Sequence, residues 1–193
     1  MGRRSDHSRD ELESLFLEAG TKQLAEVGFA RFSGREVAKQ VGYSVGTLYN
    51  LFGSLDRFIL ALNARTLREW TAALDARLAE AEGDRIAALV SGYFDFAEAH
   101  TNRWTALYDH HMPAGETLPD WFDQAFAGLI ELIEGEVAAA LRRAPDADTC
   151  ALTGSLVAIA HGHCTLLINR TWESFGGDPR AAALARIRDA LAA

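Results

Sequence analysis

The sequence predicts an all-α fold of about nine helices, with a three-helix head at the N-terminus followed by a helical body. Apolar residues recur at intervals of three and four through most of the 193 residues, as they do on the buried face of a helix. No segment alternates apolar and polar residues over the length of a strand, and Gly or Pro marks most of the boundaries between the periodic segments.

Three short segments make up the predicted head. A capping box at Ser8–Glu11 begins the first helix, which ends at Gly28. Two shorter helices, 34–41 and 44–52, are joined by a turn at Gly42, because Gly enters the left-handed conformation of a helix end at little cost. Two short helices with such a turn predict a helix-turn-helix, a unit that places its second helix in the major groove of DNA.

Six longer or more apolar helices make up the predicted body. Their predicted ranges are 55–81, 83–100, 101–110, 119–143, 148–172 and a last helix that ends near Leu191. Ser54 is placed to cap the first of them, and residues 111–118 form a loop. We therefore divide the chain into a DNA-binding domain, 1–54, and a ligand-binding and dimerisation domain, 55–193.

The charge is distributed unevenly between these two parts. The formal net charge is −8, yet residues 1–60 carry eight basic and eight acidic side chains, so the whole excess of negative charge belongs to the body. A neutral head attached to an acidic body is compatible with binding to phosphate through one local face. Two interpretations of the N-terminal tail with Arg3 and Arg4 stay open, a solvated tail and an arm that touches DNA.

Cysteine use and hydropathy favour an intracellular protein. Cys150 and Cys164 are 14 residues apart in one predicted helix, which separates them by roughly 20 Å, too far for a disulfide. Free thiols are typical of a reducing cytoplasm. No N-terminal apolar segment predicts a signal peptide, and no uninterrupted apolar run is long enough to predict a membrane span.

The run from Gly42 to Phe52 reads GYSVGTLYNLF and gives the head a specific resemblance. Together with Gly28-Phe29 and Val37-Ala38, it resembles the TetR family of bacterial transcriptional regulators over residues 9–60, without gaps. That resemblance implies a homodimer with two DNA-binding heads and an all-helical ligand-binding body. It also implies a repressor that a small molecule releases from double-stranded operator DNA.

The resemblance assigns DNA contact, position by position, to the starts of the second and third helices. Hydroxyl and phenol groups there suit phosphate oxygens, and Gly46 allows a close approach to the DNA backbone. The nine assigned residues are Ser33, Arg35, Tyr43, Ser44, Val45, Gly46, Thr47, Tyr49 and Asn50. Val45 and Leu55 stand where the family commonly has Lys, and Leu51 replaces a common His. The loss of two cations predicts weaker DNA binding, with a salt slope lower by about 0.9 for each lost phosphate contact.

Aromatic residues are concentrated between residues 70 and 126, where the resemblance implies a ligand pocket. For any single one of these residues core packing is the better explanation, but taken together they predict a largely apolar small-molecule effector there. The negative body favours a neutral or cationic effector. The predicted ligand-binding residues are Trp70, Tyr93, Phe94, His100, Trp104, Tyr108, His110, Trp121, Phe122 and Phe126.

Small residues recur every four positions along the predicted helix 148–172, which allows another helix to approach closely. Packing within the chain is one explanation, and the resemblance favours a dimer interface built from the last two helices. The predicted interface residues are Gly154, Ala158, Gly162, His163, Leu166, Leu184 and Ile187.

The histidines and cysteines do not predict catalysis. Neither His110-His111 nor His161-Gly162-His163 has the i,i+4 spacing that puts two metal ligands on one helix face, so no metal and no cofactor are predicted. A Cys next to a His in sequence, as at Cys164, is not thereby paired with it as a nucleophile. The sequence thus predicts a cytoplasmic regulator and not an enzyme. The alternatives are a helical ligand-binding or interaction protein with weak or lost DNA binding, and an all-α enzyme.

Overall fold

The computed structural model describes residues 7–192 and contains nine α-helices and no strand within that range. The helices are α1 (Arg9–Val27), α2 (Gly34–Val41), α3 (Val45–Phe52), α4 (Leu55–Ala79), α5 (Arg85–Ala99), α6 (Thr101–Asp109), α7 (Asp120–Leu141), α8 (Ala147–Ile168) and α9 (Pro179–Ala192). Short 3₁₀ turns lie at Phe29–Arg31 and Trp172–Ser174. The all-α prediction is therefore confirmed, while Arg3 and Arg4 lie outside the described residues.

The chain forms two compact units. The first ends at Thr66 and also includes Asn102–Phe122, and the second consists of Leu67–Thr101 and the chain from Asp123 onward. Because the division falls inside α4, α6 and α7, these three helices each contribute residues to both units. The predicted domain boundary at residue 54 precedes α4 and stays a prediction.

The first unit is built around an aromatic and aliphatic core. Its buried residues come from α1, α2, α3, α4 and α6, and they are Phe16, Leu24, Val37, Ala38, Leu48, Phe58, Leu62 and Ala106. Gly20 lets α1 and α4 approach closely, since a Cβ added there would lie 2.6 Å from Phe58 Cζ. Burial of these side chains stabilises the three-helix arrangement by about 1.5–3 kcal/mol for each large residue.

Polar contacts attach α6 to this core. The Asn102 side chain donates to the Ala25 carbonyl at 2.7 Å, and the Asn63 side chain of α4 donates to the Ala106 carbonyl at 3.2 Å. His110 Nε2 lies 3.2 Å from a carboxylate oxygen of Asp56. In the first unit, α6 is thus bonded to the end of α1 and to the first half of α4.

In the second unit, charged side chains bind α9 to α5. Arg180 donates to Asp95 at 2.6 Å and to Glu98 at 2.8 Å, while Arg77 of α4 donates to the other oxygen of Asp95 at 2.6 Å. Arg85 forms a bidentate pair with Glu136 of α7 at 2.7 Å. Bidentate pairs and shared carboxylates fix geometry better than single exposed ion pairs do.

Two helices end earlier than the sequence predicted. The α7 helix stops at Leu141 and α8 at Ile168, because Arg142 and Arg170 take up the left-handed conformation with φ of 55° and 58°. The following N–H groups then close the helix ends, as Thr171 N–H does on the Leu166 carbonyl at 3.0 Å. Since Arg is a good helix former, neither Arg142 nor Arg170 by itself signals a helix end, although Pro145 follows α7 closely.

Candidate DNA-binding head and effector cavity

The turn between α2 and α3 has the geometry of a helix-turn-helix. Gly42 adopts φ 83° and ψ 23°, which suits Gly far better than any residue with a Cβ. Tyr43 N–H then donates to the Ala38 carbonyl at 2.9 Å and closes the end of α2. Ser44 caps α3 by accepting from Thr47 N–H at 3.3 Å, so only three residues separate the two helices.

The start of α2 is held by two polar contacts. Ser33 caps the helix by accepting from Glu36 N–H at 3.4 Å. The buried side chain of Gln23, on α1, accepts from Ser33 N–H at 3.0 Å. This contact fixes the N-terminus of α2, which is an attractive position for a phosphate because its N–H groups and the helix dipole both favour an anion.

The nine residues assigned to DNA contact differ in exposure. Arg35, Ser44, Gly46, Tyr49 and Asn50 are exposed, and Tyr49 has 44% of its surface accessible although it is aromatic. The remaining four, Ser33, Tyr43, Val45 and Thr47, are half-buried. The exposed members are polar or small, so they offer hydrogen-bonding groups and little apolar surface.

Three apolar residues stand where the family pattern commonly has Lys or His, and the structure explains them. Val45, Leu51 and Leu55 all pack against the core of the first unit. Leu55 is so close to α2 that a Cβ added to Gly34 would lie 2.9 Å from Leu55 Cδ1. These side chains therefore contribute to the stability of the head, and only part of the Val45 surface is exposed.

Other polar residues near the head were missed by the sequence-based assignment. Lys39 on α2 and Arg57 in the first turn of α4 are exposed cations. Arg9 donates to the Leu51 carbonyl at 3.0 Å, and His7 Nδ1 lies 2.9 Å from the Tyr43 hydroxyl, so the chain at the start of α1 contacts the end of α3 and the turn before it. The signal for the two cations was present in the sequence, since Lys39 lies within the helix-turn-helix and Arg57 follows it by a few residues.

A small apolar cavity lies within the second unit. It offers about 30 Å³ to the centres of water-sized molecules, and α4, α5, α7, α8 and α9 all contribute to its wall. The lining residues are Leu74, Ile86, Leu89, Val90, Tyr93, Ile133, Val137, Leu156, Val157, Ala160 and Ile187. Ten of them are aliphatic, so the cavity suits an apolar molecule.

The only polar side chain in the cavity wall belongs to Tyr93. Its hydroxyl lies 3.2 Å from His161 Nδ1, and His161 Nε2 lies 3.4 Å from the Thr165 hydroxyl. Burial lowers the pKa of His161 below its usual value, which favours the neutral imidazole. An uncharged chain of hydrogen-bonding groups thus leads away from the one polar residue of an otherwise aliphatic wall.

The ten predicted ligand-binding residues are divided between the two units. Tyr93 lines the cavity, Trp70 and Phe94 are buried in the same unit, and the His100 ring packs on Phe96 at 4.6 Å. Phe126 is 49% exposed. The other five belong to the first unit and are Trp104, Tyr108, His110, Trp121 and Phe122.

The aliphatic cavity residues were missed because they repeat at the same helical spacing as any core residue. Only their arrangement in three dimensions distinguishes a cavity wall from a packed core. A second depression, between α4 and α7, is wider and more open, at about 370 Å³, and its wall includes Arg68, Asp75 and Gln124. Its charged, open wall is less suited to holding an apolar effector than the small apolar cavity is.

The surface of α8 is unusually apolar for a helix that is so little covered. In its most apolar 18-residue window only 22% of the residues are buried, and by length and composition alone this helix could cross a membrane. Nothing lies within 4 Å of a Cβ added to Gly154 or Gly162. These two glycines therefore do not serve close packing among the residues that the structure describes.

The other predicted interface residues differ in position. Ala158 is exposed, while Leu166 and Leu184 are half-buried. His163 bonds the Ile159 carbonyl through Nδ1 at 2.8 Å and packs on the Trp172 ring. Ile187 is 4% exposed and lines the cavity, so we reassign it from the interface to the cavity wall.

The cysteines are free, as predicted. Burial raises the pKa of the Cys164 thiol to about 12, so this sulfur stays protonated and unreactive at neutral pH. Among the described residues, no three His, Cys, Asp or Glu side chains are grouped as metal ligands.

Comparisons with known proteins agree with the geometry of the head. A family model described as "Bacterial regulatory proteins, tetR family" matches residues 16–62, and one described as "Tetracyclin repressor-like, C-terminal domain" matches residues 86–191. An uncharacterized HTH-type transcriptional regulator of Mycobacterium tuberculosis is 32% identical over 85 residues, 44% of this chain and 44% of the relative. The chain thus matches less than half the length of this curated relative.

Solved structures share the fold along the whole chain. A protein of unknown function from Rhodococcus sp. RHA1 has a TM-score of 0.74 at 23% identity, covering 98% of this chain and 97% of the other. The transcriptional regulator FadR from Bacillus subtilis, solved in complex with stearoyl-CoA, has a TM-score of 0.67 at 14% identity, covering 92% and 97%. At such identities the likeness shows the fold alone.

Proposed function

Because the chain belongs to the TetR family of bacterial regulatory proteins, we propose that it is a ligand-responsive repressor that binds operator DNA as a homodimer. The observation that carries this proposal is the head, in which Gly42 and the Ser33 and Ser44 caps orient the starts of α2 and α3. The family is one of transcriptional regulators and not of enzymes. We place the protein in the cytoplasm, where operator DNA is found.

In this proposal α3 enters the major groove, and exposed hydroxyl and amide groups contact the DNA. Tyr49 and Ser44 bond phosphates and so position the head, while Asn50 reaches a base edge or a phosphate. The exposed cations Arg35, Lys39 and Arg57 compensate in part for the Lys residues that the family commonly carries where Val45 and Leu55 stand.

Two copies of the chain are proposed to pair through α8 and α9. The uncovered apolar surface of α8 and the open space at Gly154 and Gly162 support this pairing, since a partner helix could approach closely there. A symmetric pair would present its two α3 helices to successive major grooves of a near-palindromic operator, roughly 34–36 Å apart.

The apolar cavity is proposed as the effector site. Its present volume is far below the roughly 300–1,000 Å³ of typical ligand pockets, so an effector has to push its walls apart. One wall residue, Leu74, belongs to α4, and the same continuous helix carries Phe58 and Leu62 of the head core. A displacement of α4 would change the separation of the two heads and release the operator.

A gel-shift assay with the DNA that flanks the gene tests DNA binding, with Tyr49→Phe as the diagnostic variant. We expect this change to weaken operator binding severalfold, because it removes a hydroxyl that bonds phosphate and leaves the ring in place. Tyr108→Phe is the matched control, since Tyr108 on α6 is exposed to a similar degree, 40% against 44%. If wild-type protein gives no salt-sensitive, sequence-specific shift, the repressor proposal is wrong and a ligand-binding protein without DNA binding replaces it.

A further inference from the structure

Next to Tyr93 of the cavity wall lies an aromatic residue with an unsatisfied hydrogen-bond donor. Trp70 of α4 is 1% exposed, and its Nε1–H makes no hydrogen bond to any residue that the structure describes. A buried donor without an acceptor is costly, and such groups are rare in folded proteins. This one therefore requires an explanation.

The position of Trp70 relates it to the cavity. Its ring packs edge-on against the Tyr93 ring, with centroids 4.8 Å apart, and is stacked on Phe96 at 5.3 Å. Tyr93 lines the cavity, as does Leu74, one helical turn beyond Trp70 on the same face of α4. Trp70 itself does not line the cavity, so it forms a second layer behind Tyr93. Because an aromatic face is only a weak acceptor, the Tyr93 ring does not satisfy the indole N–H.

The remaining groups around the cavity limit the charge of a ligand. None of the eleven lining residues is charged, and the lowered pKa of His161 keeps the group beside Tyr93 neutral. In the same unit, Arg180 and Arg77 both pair with Asp95. A carboxylate or phosphate inside the cavity would thus be buried without a cation, which is strongly unfavourable.

We propose that the effector is an uncharged apolar compound with one hydrogen-bond acceptor, such as a carbonyl oxygen, and that the acceptor receives the Trp70 Nε1–H beside Tyr93. This inference rests on the cavity being the effector site. The lining residues Ile86 to Tyr93 on α5 span roughly 10 Å of helix, so the apolar part is of medium length. Movement of Tyr93 lets the acceptor reach the indole, which makes Trp70 a specificity-determining residue on α4.

Dye displacement on the full chain tests the proposal without DNA. N-phenyl-1-naphthylamine serves as a neutral fluorescent probe, and 2-octanone, octane and octanoate compete with it. We expect 2-octanone to displace the dye at about tenfold lower concentration than octane, because it satisfies the buried donor. Octanoate is expected to be the weakest competitor of the three.

Two variants locate the acceptor. Trp70→Phe keeps an aromatic ring and removes the N–H, so we expect the preference for 2-octanone over octane to disappear while octane still binds. Thr153→Val is the control, since the Thr153 hydroxyl, on α8, is also buried and without a bond among the described residues, one turn before the cavity residue Val157. This variant should keep the preference.

Three results would overturn the inference: equal displacement by 2-octanone and octane in wild-type protein, a preference that survives Trp70→Phe, or a preference that Thr153→Val abolishes. In each of these cases the cavity would still bind apolar molecules, and the proposed effector site would stand. If none of the compounds displaces the dye, or the dye does not bind, the effector site itself is wrong and this inference is overturned together with it.

Discussion

At the scale of single residues, Leu55 shows how this head departs from its relatives. Where the resemblance led us to expect a cation for DNA, the side chain packs on the head core and against Gly34. Val45 and Leu51 also pack against this core. The head thus gains apolar contact at three positions close to its DNA-binding face, and its cations lie instead at Arg35, Lys39 and Arg57.

Restoring the common residue at this position should cost stability. We expect Leu55→Lys to lower the free energy of unfolding by about 1–2 kcal/mol, because the lost apolar burial is only partly replaced by the stem of a Lys whose ammonium reaches for water. Urea denaturation followed by circular dichroism measures the change. Leu118→Lys, at a Leu that is 44% exposed, should be nearly neutral. Equal stability of both variants would mean that Leu55 does not contribute to the core.

Ionisation of Asp84 makes the free energy of unfolding depend on pH in the acid range. Its pKa is held below the usual 3.8, first by the hydrogen bond from Ala87 N–H at the start of α5 and then by Arg188. The ionised form is thus favoured in the folded state. The stabilisation that ionised Asp84 gives the fold is fully present above pH 3.8. It is lost as the pH falls through the lower pKa that Asp84 has in the folded state.

Asp84→Asn separates the charge from the cap, because Asn caps helices as well as Asp does. At pH 7 we expect the variant to be less stable by less than about 1 kcal/mol, since the Arg188 pair is partly exposed. The difference should shrink as the pH falls below 3.8. Urea titrations at several pH values measure it, with Asp123→Asn on α7 as the control for losing one charge. A difference that grows in acid would contradict the assigned direction of the pKa.

At the scale of helices, glycines have opposite roles that depend on their neighbours. Gly20 and Gly92 allow close packing inside the units, since a Cβ added at them would lie 2.6 Å and 2.7 Å from side-chain atoms of Phe58 and Leu74. Gly154 and Gly162 on α8 have open space around them. On an apolar helix with little burial, that open space is where we propose the partner subunit approaches.

Gly162→Leu tests the proposed dimer. Because a Cβ at this position has nothing within 4 Å and Leu favours a helix over Gly by roughly 0.8–1 kcal/mol, we expect each copy to fold normally. In a dimer the same side chain would separate the paired helices. Light scattering coupled to size exclusion should therefore show a monomer with an unchanged far-ultraviolet spectrum.

The control for this variant is Gly135→Leu on α7. Gly135 is exposed and equally open, so the substitution is the same but lies outside the proposed interface. This variant should stay dimeric. A stable dimer from Gly162→Leu would remove α8 from the interface.

At the scale of the whole molecule, turns and helix caps could be predicted from the sequence, and the cavity could not. The turn at Gly42 and the Ser8, Ser33 and Ser44 caps depend on a few neighbouring residues, so the sequence predicted the head in detail. The cavity depends on which aliphatic faces of five helices leave a space between them. Tyr93 and Phe94 are adjacent and both buried, yet only Tyr93 lines the cavity, a difference that depends on the facing helices and not on spacing.

The number of chains bound to each operator tests the central claim most directly, since one such measurement depends on the head and on the pairing through α8. Native mass spectrometry of the protein with the DNA that flanks its gene should give a complex of two chains per duplex. That complex should be absent with a scrambled duplex of the same length. One chain on the specific duplex, or equal binding to the scrambled duplex, would contradict the account of a dimeric, operator-specific regulator.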